Sequence, residues 1–390
     1  MRVNSRDRLH ATLAYVPTVA AAMEVHRVSP FIEAASVEAW DAWFRWRNGT
    51  SLHDISIEDT WQRVATALAA AEESDVASLW ASRFNEALAG WRVLPDERLL
   101  ASAGTRRIGW KRGDLCASLN AAAFVFAAGT VHAHIDRNAV LECARLAVRM
   151  LDNAYRIAGL AAPRIRVGLI GMADALLLLG LDYDSEGGRS EAGAFSAALC
   201  KGCMYGSVQL ARDRGPAPAD PGAAIARAMR RGDDRNLLRD ARRHGLRYLE
   251  LTSITSQRRL ALLANDVSDA LDPLREDNHV HYIDAPGGER VLHSSGYALN
   301  VLRAGGRCDA VHLETSTMLP WQAQVTMRAA VQPWMDEPIS YPFLLRGMPG
   351  APQRREAARL GAMHGLGKPA WRIPDAKHPP RSPQRRGQHP

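Results

Sequence analysis

The sequence has few cysteines and no apolar run long enough to cross a membrane. Five cysteines in 390 residues cannot form the disulfide framework that holds small secreted domains together. The longest apolar stretch, near Leu169–Leu181, is interrupted by Gly171 and Asp174 and is too short to span a bilayer. The N-terminal residues carry charges but no apolar segment followed by a small-residue cleavage site. We therefore expect a cytoplasmic protein that has no membrane partner.

The overall composition is that of a globular protein with a basic C-terminal tail. Apolar residues make up 47% of the chain and charged residues 23%, and its length is sufficient for one large domain or two ordinary ones. Much of the net charge of +7 lies in residues 375–390, where basic residues alternate with prolines and glutamines. Because this tail has almost no apolar side chains to bury, we expect it to be disordered and solvated rather than bound to nucleic acid.

The spacing of apolar residues predicts mostly helices. Trp61, Val64 and Leu68 recur at helical spacing, and Asp136 can cap a helix that runs to about Tyr155, with Pro163 as the helix stop. Further helices are predicted at 190–212 and 321–334. The segment 166–181 is predicted to begin with a tight turn and to continue as a helix that ends near Gly180. The segment 120–129 could be a buried strand or a helix. Short strand-like runs follow residue 249. We therefore expect an α/β or α+β core, with a helix-rich α/β fold as the prediction.

The segment 223–247 contains eight arginines that alternate with alanine and leucine. This alternation is typical of helices whose arginines face the solvent, which we favour over a patch that faces phosphate groups. A nucleic-acid-binding function is accordingly the weakest of the hypotheses.

Seven segments, in order, resemble the large chain of the adenosylcobalamin-dependent (class II) ribonucleotide reductases. The most specific is RIRVGLIGMADALLLLGLDYDSEGGR (Arg164–Arg189), which is similar to the family's R-x-I-G-L-G-V-M-G-L-A-D and L-G-I-x-Y-D-S-E. The other six are Trp43–Ala70, Trp91–Thr105, Gly113–Val125, Ala144–Ile157, Leu251–Leu274 and Val325–Leu345. Their common order, from about Trp40 to Trp371, indicates relatedness.

The resemblance implies a three-part organisation: an N-terminal helical region at 1–105, a partial reductase-like α/β barrel at 106–374, and the disordered tail at 375–390. In the family a long segment separates the A-G-T phrase from the G-x-C strand, whereas here Thr105 and Gly113 nearly meet. The missing segment carries the first part of the family's ten-stranded barrel, an early redox cysteine and effector-binding residues. A partial barrel would leave an exposed strand edge and an uncovered apolar face, so we expect a homodimer or a complex with a full-length reductase.

The cysteines do not reproduce the family's radical site, which reads Asn-x-Cys-x-Glu. None of the five has asparagine two residues before it and glutamate two residues after it, so no catalytic residue is assigned. Cys116 lies near the position of the family's second redox cysteine and is the redox candidate, although without its partner a buried structural role is favoured. Cys200 and Cys203 have dithiol spacing, but they lie in a predicted helix and no second such pair is present for zinc.

The family's phosphate loop, P-T-G-T-I-S, is represented here by Ser256, Gln257, Arg258 and Arg259, followed by leucine and alanine. The glycine that allows close backbone approach and both threonines are missing. These four residues are the substrate-phosphate candidates, since the two arginines could hold a phosphate by charge-assisted hydrogen bonds. A surface or structural role for the arginines is favoured.

Two pairs of histidines could each present two imidazoles on one face of a strand: His132 with His134, and His279 with His281. No carboxylate stands at suitable spacing from either pair, so no metal site is predicted. The sequence therefore predicts a ribonucleotide-reductase-like protein, of the adenosylcobalamin-dependent type by resemblance, whose catalysis is impaired because the radical motif is absent. The alternative is a non-catalytic remnant that binds a nucleotide or a partner protein and uses no cofactor.

Overall fold

The computed structural model describes residues 30–49, 51–160, 164–306, 315–316, 318–345 and 347–373. The chain separates into the units Met1–Pro30 and Phe31–Pro390, and every element below belongs to the second. The predicted disordered tail, Cys308 and the helix stop predicted at Pro163 lie outside the described residues.

Helices and short strands make up the N-terminal part of this unit. They are α1 (Ala34–Trp43), β1 (Arg47–Asn48), β2 (Ser51–Leu52), α2 (Ile57–Ala69) and α3 (Ala77–Ala89). Helix α2 begins where the Asp59 carboxylate accepts hydrogen bonds from the backbone N–H groups of Ile55 and Ser56, both at 2.8 Å. Its buried face contains Trp61 and Leu68, as their spacing predicts.

A small sheet and its helices form the centre. In chain order they are β3 (Val93–Pro95), α4 (Glu97–Ser102), β4 (Leu115–Asn120), a 3₁₀ turn (Ala121–Phe124), β5 (Val125–Phe126), β6 (His134–Ile135), α5 (Arg137–Ala158), β7 (Ile165–Ile170), α6 (Met172–Leu179) and α7 (Glu186–Arg214). The sheet has the order β3-β4-β7, with β3 antiparallel to β4 and β4 parallel to β7. Strands β4 and β7 are buried along most of their length, so they read as continuous apolar runs.

The remaining elements surround this sheet. They are α8 (Gly222–Arg231), α9 (Arg235–His244), α10 (Arg258–Leu263), β8 (His279–Ala285), β9 (Gly288–Ser294), α11 (Tyr297–Ala304), α12 (Trp321–Val331), a 3₁₀ turn (Gln332–Trp334), β10 (Phe343–Leu344), α13 (Ala351–Met363) and β11 (Trp371–Arg372). Strands β8 and β9 form an antiparallel hairpin, and β10 pairs in parallel with β11. One hydrophobic core runs from Trp40 to Tyr341 and so includes side chains from both sides of residue 105.

The predicted helices are confirmed at α2, α5, α7 and α12, and the fold is helix-rich α/β. Two segments differ from the prediction. Residues 120–129 form the end of β4, the 3₁₀ turn and β5 rather than one strand or helix, and 166–181 begins with the buried strand β7 before its helix. Gly168 explains the second difference, because a Cβ atom at this position would lie 2.5 Å from the carbonyl oxygen of Ser253. Small apolar residues here serve strand packing, which periodicity alone does not distinguish from helix packing.

The described sheets do not close into a barrel, and the edge of β7 is covered rather than exposed. Val167 donates its N–H to the Leu251 carbonyl at 2.7 Å and accepts from the Ser253 N–H at 3.2 Å. The Asp336 carboxylate then accepts from the N–H of Leu251 at 2.8 Å and of Thr252 at 3.1 Å. The prediction that a partial barrel leaves a strand edge exposed is therefore wrong for the edge of β7. The prediction of an uncovered apolar face is wrong for β4 and β7, whose two faces are both buried.

The arginines of 223–247 divide into two groups. Five have exposed side chains, as predicted: Arg230, Arg235, Arg239, Arg242 and Arg243. For the other three the prediction is wrong, because Arg227 and Arg231 contact the Asp336 carboxylate at 3.3 and 3.1 Å and Arg247 contacts Asp152 at 3.2 Å. Within the described ranges, no helix combines the length and the apolar character needed to cross a membrane.

Candidate functional site

A cavity of about 490 Å³ opens beside α10. Its walls come from α10 itself, from the segment 264–275 that follows, from β8, from the segment 295–299 and from the end of β11, and Trp43 and Glu97 also line it. Charged side chains of both signs line it, including Arg258, Arg372 and Asp266. A cavity of this size with convergent polar groups is the usual form of a small-ligand site.

The structure places the substrate-phosphate candidates at the start of α10, where an internal carboxylate meets two of them. Ser256 donates its hydroxyl to Asp269 Oδ2 at 2.5 Å, and the backbone N–H of Gln257 donates to Asp269 Oδ1 at 2.6 Å. Asp269 therefore takes the place that a substrate phosphate would need at these donors. Their role in phosphate binding stays a prediction, and it requires Asp269 to move away.

The two arginines of the same segment differ in their surroundings. Arg259 contacts the Glu97 carboxylate at 3.4 Å, and its guanidinium lies 4.8 Å from the centre of the Trp43 ring. Arg258 lines the cavity, where its separation from bulk solvent and the neighbouring Arg372 lower its pKa to about 10. The structure thus brings both arginines to the cavity. Arg258 is the better binding partner for an anion there, because the anion would offset the repulsion between Arg258 and Arg372.

A group of acids and arginines that sequence reasoning missed lies at the cavity wall and behind it, with Asp269, Asp272 and Arg372 lining the cavity. Arg372 contacts both Asp269, at 3.4 Å, and Asp272, while Arg328 lies 3.6 Å from Asp272. Burial raises the pKa of Asp272 to about 7, and Asp269 adds to this rise while Arg372 opposes it. These residues come from three distant segments, so no local motif could have indicated them.

The redox candidate Cys116 lies on β4 and is half-buried. Its Sγ atom is 3.6 Å from Asp96 Oδ2 and 3.6 Å from Gln257 Nε2. Burial and the Asp96 carboxylate raise the pKa of the Cys116 thiol far above its usual range. Because the thiolate is the reactive form, this environment opposes nucleophilic and redox chemistry at neutral pH. The redox role of Cys116 stays a prediction.

Cys200 and Cys203 are buried on α7, in the helix that the sequence predicts, and neither forms a disulfide. Arg231 donates to Cys200 Sγ at 3.1 Å. Burial raises the pKa of Cys200 to about 12 and that of Cys203 well above its usual range. These two cysteines are therefore packing side chains of a buried helix, despite their dithiol spacing.

Two histidines of the hairpin meet a carboxylate at the cavity wall. His279 Nε2 lies 2.7 Å from Asp266 Oδ2, and His281 Nε2 lies 3.0 Å from Asp266 Oδ1. The donor atoms of the three side chains lie within 4.8 Å of one another, an arrangement that could hold a metal ion. The sequence has no carboxylate at metal-ligand spacing beside this pair, and the fold instead brings in Asp266 from 13 residues before His279. The other pair, His132 and His134, is exposed.

The sequence contains one signal that could have found Asp266. Asn265 and Asp266 both adopt left-handed backbone conformations, with φ of 63° and 59°. Asparagine and aspartate tolerate this conformation better than other side chains do, so an Asn-Asp pair directly after a helix indicates a sharp turn that directs a carboxylate. The Asn265 side chain accepts a hydrogen bond from the Ile32 N–H at 2.7 Å, which stabilises the turn.

Residues 115–289 match the family model described as ribonucleotide reductase, barrel domain. The match covers a little under half of the chain and includes Cys116, the segment 256–259 and the Asp266–His279–His281 group. A comparison with individually curated proteins gives no match. The chain is thus ribonucleotide-reductase-like across the segment that builds β4, β7 and most of the cavity wall.

Proposed function

We propose that this ribonucleotide-reductase-like protein binds a nucleotide in the cavity beside α10 and does not carry out the radical reduction typical of the family. The observation that carries the proposal is that most of the cavity wall, including 256–275, lies inside the segment similar to the reductase barrel domain. The family resemblance supplies the ligand class, a ribonucleotide, and the absence of an Asn-x-Cys-x-Glu motif argues against reduction.

The environment of Arg258 supports binding of an anion. Its pKa is lowered in part by Arg372, so an added negative charge beside Arg258 would relieve the repulsion between the two guanidinium groups. Arginine is also the side chain best suited to hold phosphate through two parallel hydrogen bonds. The Asp269 and Asp272 carboxylates act on the same guanidinium and oppose this lowering of its pKa, so a phosphate has to compete with them for Arg258.

Adenosylcobalamin is implied by the resemblance, and the described cysteines do not fit its radical chemistry. That chemistry needs a thiol that can reach both the cofactor and the substrate. Cys143, Cys200 and Cys203 are buried, and the thiol of Cys116 faces the Asp96 carboxylate and the Gln257 amide. We therefore propose that the protein acts without this cofactor.

Calorimetric titration of the full chain with a ribonucleoside diphosphate tests the binding part of the proposal. We expect saturable binding that Arg258→Gln weakens by about tenfold or more, since it removes a charge-assisted hydrogen bond. Arg230→Gln is the matched control, because Arg230 is exposed on α8 and does not line the cavity. Absence of binding by the unmodified chain, or equal loss in both variants, would refute the nucleotide site.

A turnover assay tests the second part. The chain is incubated with ribonucleotide, adenosylcobalamin and a dithiol, and the deoxyribonucleotide formed is measured against a blank without protein. We expect no product above the blank. Sustained turnover would show that the chain reduces ribonucleotides despite lacking the motif, and would overturn the proposal of impaired catalysis.

A further inference from the structure

The geometry around Asp266 points to a metal site: we propose that Asp266, His279 and His281 bind one divalent first-row transition-metal ion at the cavity wall. The proposal is independent of nucleotide binding, because it concerns different side chains and is tested with the metal alone. It rests on the placement of the three donors, on the hydrogen-bonding needs of His279, and on the opening of the group toward the cavity.

The backbone directs the three side chains toward one point. His279 and His281 are two residues apart on β8, so both side chains leave the same face of the strand. Asp266 reaches this face from the turn after α10, where its backbone is left-handed, a conformation that aspartate tolerates. The Asp266 carbonyl accepts a hydrogen bond from the Tyr297 N–H at 3.3 Å, which ties the turn to α11.

The distances suit a bound ion after small side-chain shifts. A metal held at about 2.1 Å from each donor keeps neighbouring donors about 3.0 to 3.5 Å apart. The two contacts between imidazole nitrogen and carboxylate oxygen, 2.7 and 3.0 Å, are at or just below this range. All the donor atoms lie within 4.8 Å of one another, so the longest separation has to shorten when the ion binds.

His279 has hydrogen-bond acceptors at both ring nitrogens, which a neutral imidazole cannot satisfy. Nδ1 lies 2.7 Å from the carbonyl oxygen of Glu276, and Nε2 lies 2.7 Å from Asp266 Oδ2. A neutral ring that donates from Nδ1 to the carbonyl presents a lone pair at Nε2, which faces the carboxylate. A cation between Nε2 and the carboxylate resolves this conflict, and a metal-bound histidine usually donates its other N–H to a carbonyl or carboxylate. A doubly protonated His279 is the competing solution.

The chemistry of the donors selects the class of ion. Two imidazoles and one carboxylate suit zinc, iron, cobalt and related ions, whereas magnesium and calcium prefer oxygen donors alone. All three residues line the cavity, although their side chains are only 4, 12 and 7% exposed for His279, His281 and Asp266. Because the protein supplies only three donors, the ion would keep at least one coordination position for water or a ligand, as catalytic metal sites do and structural sites do not.

One neighbouring group opposes the ion. The guanidinium of Arg275 donates to the Val280 carbonyl at 3.1 Å and approaches His281 Nε2 at 3.5 Å. Its positive charge weakens the attraction of the site for a cation. Removing this charge by Arg275→Gln should therefore tighten metal binding, whereas a structural role for Arg275 alone predicts no gain.

The test is a titration of the chelator-treated full chain with Co²⁺, followed through its visible absorption, and with Zn²⁺ by calorimetry. We expect one ion per chain, a loss of affinity of at least about 100-fold in Asp266→Asn and in His281→Ala, and tighter binding in Arg275→Gln. His293→Ala is the matched control, since His293 is exposed on β9 of the same hairpin. His134→Ala controls for binding at the exposed pair on β6.

Several outcomes would overturn the proposal. They are the absence of stoichiometric binding by the unmodified chain, unchanged affinity in the folded Asp266→Asn variant, and loss of binding in His134→Ala. Circular dichroism establishes that each variant is folded, and Asp266→Asn keeps the size of the side chain. Nitrogen NMR of the metal-treated chain gives a further check, because a His279 ring that still carries two protons would show an ion pair with Asp266 in place of the metal.

Discussion

Two buried groups of charged residues in this protein differ in how their charges are matched. The first, which we call the closed cluster, joins α5 and the C-terminal end of α7 to the segments that follow α2 and α9, and consists of Glu72, Arg149, Asp152, Arg214 and Arg247. The second is the Asp266–His279–His281 group at the cavity wall. Both are buried and charged, but only in the first do arginine side chains match each carboxylate.

The closed cluster satisfies each carboxylate with permanently charged partners. Glu72 receives two parallel hydrogen bonds from Arg149, both at 2.7 Å, and a third contact from Arg214 at 2.8 Å. Asp152 is bound by Arg214, by Arg247 and by the hydroxyl of Tyr248 at 2.6 Å. Arginine cannot lose its proton in a protein, so these bonds have fixed donors and acceptors. The cluster is accordingly a structural connection between helices.

The group at the cavity wall has no such fixed pairing. Each imidazole can donate from either ring nitrogen, and His279 faces two acceptors at once. This difference shows how a buried ionic group that stabilises the fold can be distinguished from one that binds a ligand. Fixed charges with matched donors indicate structure, whereas adjustable groups with mismatched donors beside a cavity indicate a ligand.

The largest expected effect comes from breaking the closed cluster. Asp152→Ala leaves Arg214 and Arg247 without their shared carboxylate, and we expect it to lower the free energy of unfolding by about 3 to 5 kcal/mol. Urea denaturation measures the change. Glu142→Ala is the control, because Glu142 lies on the same helix in an exposed pair with Arg145 and should change stability by less than about 0.5 kcal/mol. Equal losses in the two variants would remove the distinction between buried and exposed pairs.

The next effect concerns the cavity wall. With Co²⁺ at about 100 times its dissociation constant, binding to the native state alone should raise the free energy of unfolding by about 2.7 kcal/mol. The same increment is expected in Asp152→Ala, and none in Asp266→Asn, as measured by urea denaturation with and without the ion. If the increment disappeared in Asp152→Ala, the two groups would be coupled and the comparison between them would fail.

The smallest expected effect is on the pH dependence of the free energy of unfolding. Although burial opposes it, bonding to Arg149 and Asn153 and the charge of Arg214 lower the pKa of Glu72 from 4.5 to about 2. The unfolded chain therefore binds the proton first as pH falls, so the contribution of Glu72 is complete above about pH 4.5 and is lost toward pH 2.

Between pH 5 and pH 3, the stability difference between the unmodified chain and Glu72→Gln should narrow by about 2 kcal/mol. Unfolding curves at several pH values measure this difference. A constant difference across the range would mean that Glu72 has the same pKa folded and unfolded. Glu142→Gln should follow the unmodified chain throughout.

Local signals explain which parts of the fold could be predicted. Asp136 caps α5 by accepting hydrogen bonds from the N–H groups of Asn138 and Ala139, both at 3.0 Å, and these partners are two and three residues away. The buried strand β7 could not be distinguished from a helix, because its burial comes from its contacts with β4 and with the segment 251–253. The charge pattern of 223–247 likewise could not show that Asp336 binds Arg227 and Arg231.

The candidate site was predicted only in part, for the same reason. The resemblance directed attention to 256–259, and these residues do lie at the cavity, but the carboxylate that meets Ser256 and Gln257 comes from Asp269 in the following turn. The His279–His281 spacing was visible as a pair on one strand face. Its third member was not, since the contact between Asp266 and the hairpin depends on a left-handed turn and on the packing of that turn against α11.

The sequence by itself determined helices α2, α5, α7 and α12, the Asp136 cap of α5, the likeness to the reductase barrel domain and the absence of the radical motif, because each depends on neighbouring residues or on residue identity. Only the tertiary structure decided that the edge of β7 is covered and that the described sheets stay open. It alone placed Asp269 at the phosphate-loop position and Asp266 between two histidines. These features depend on contacts between distant segments, which burial and chain packing select and which local spacing does not record.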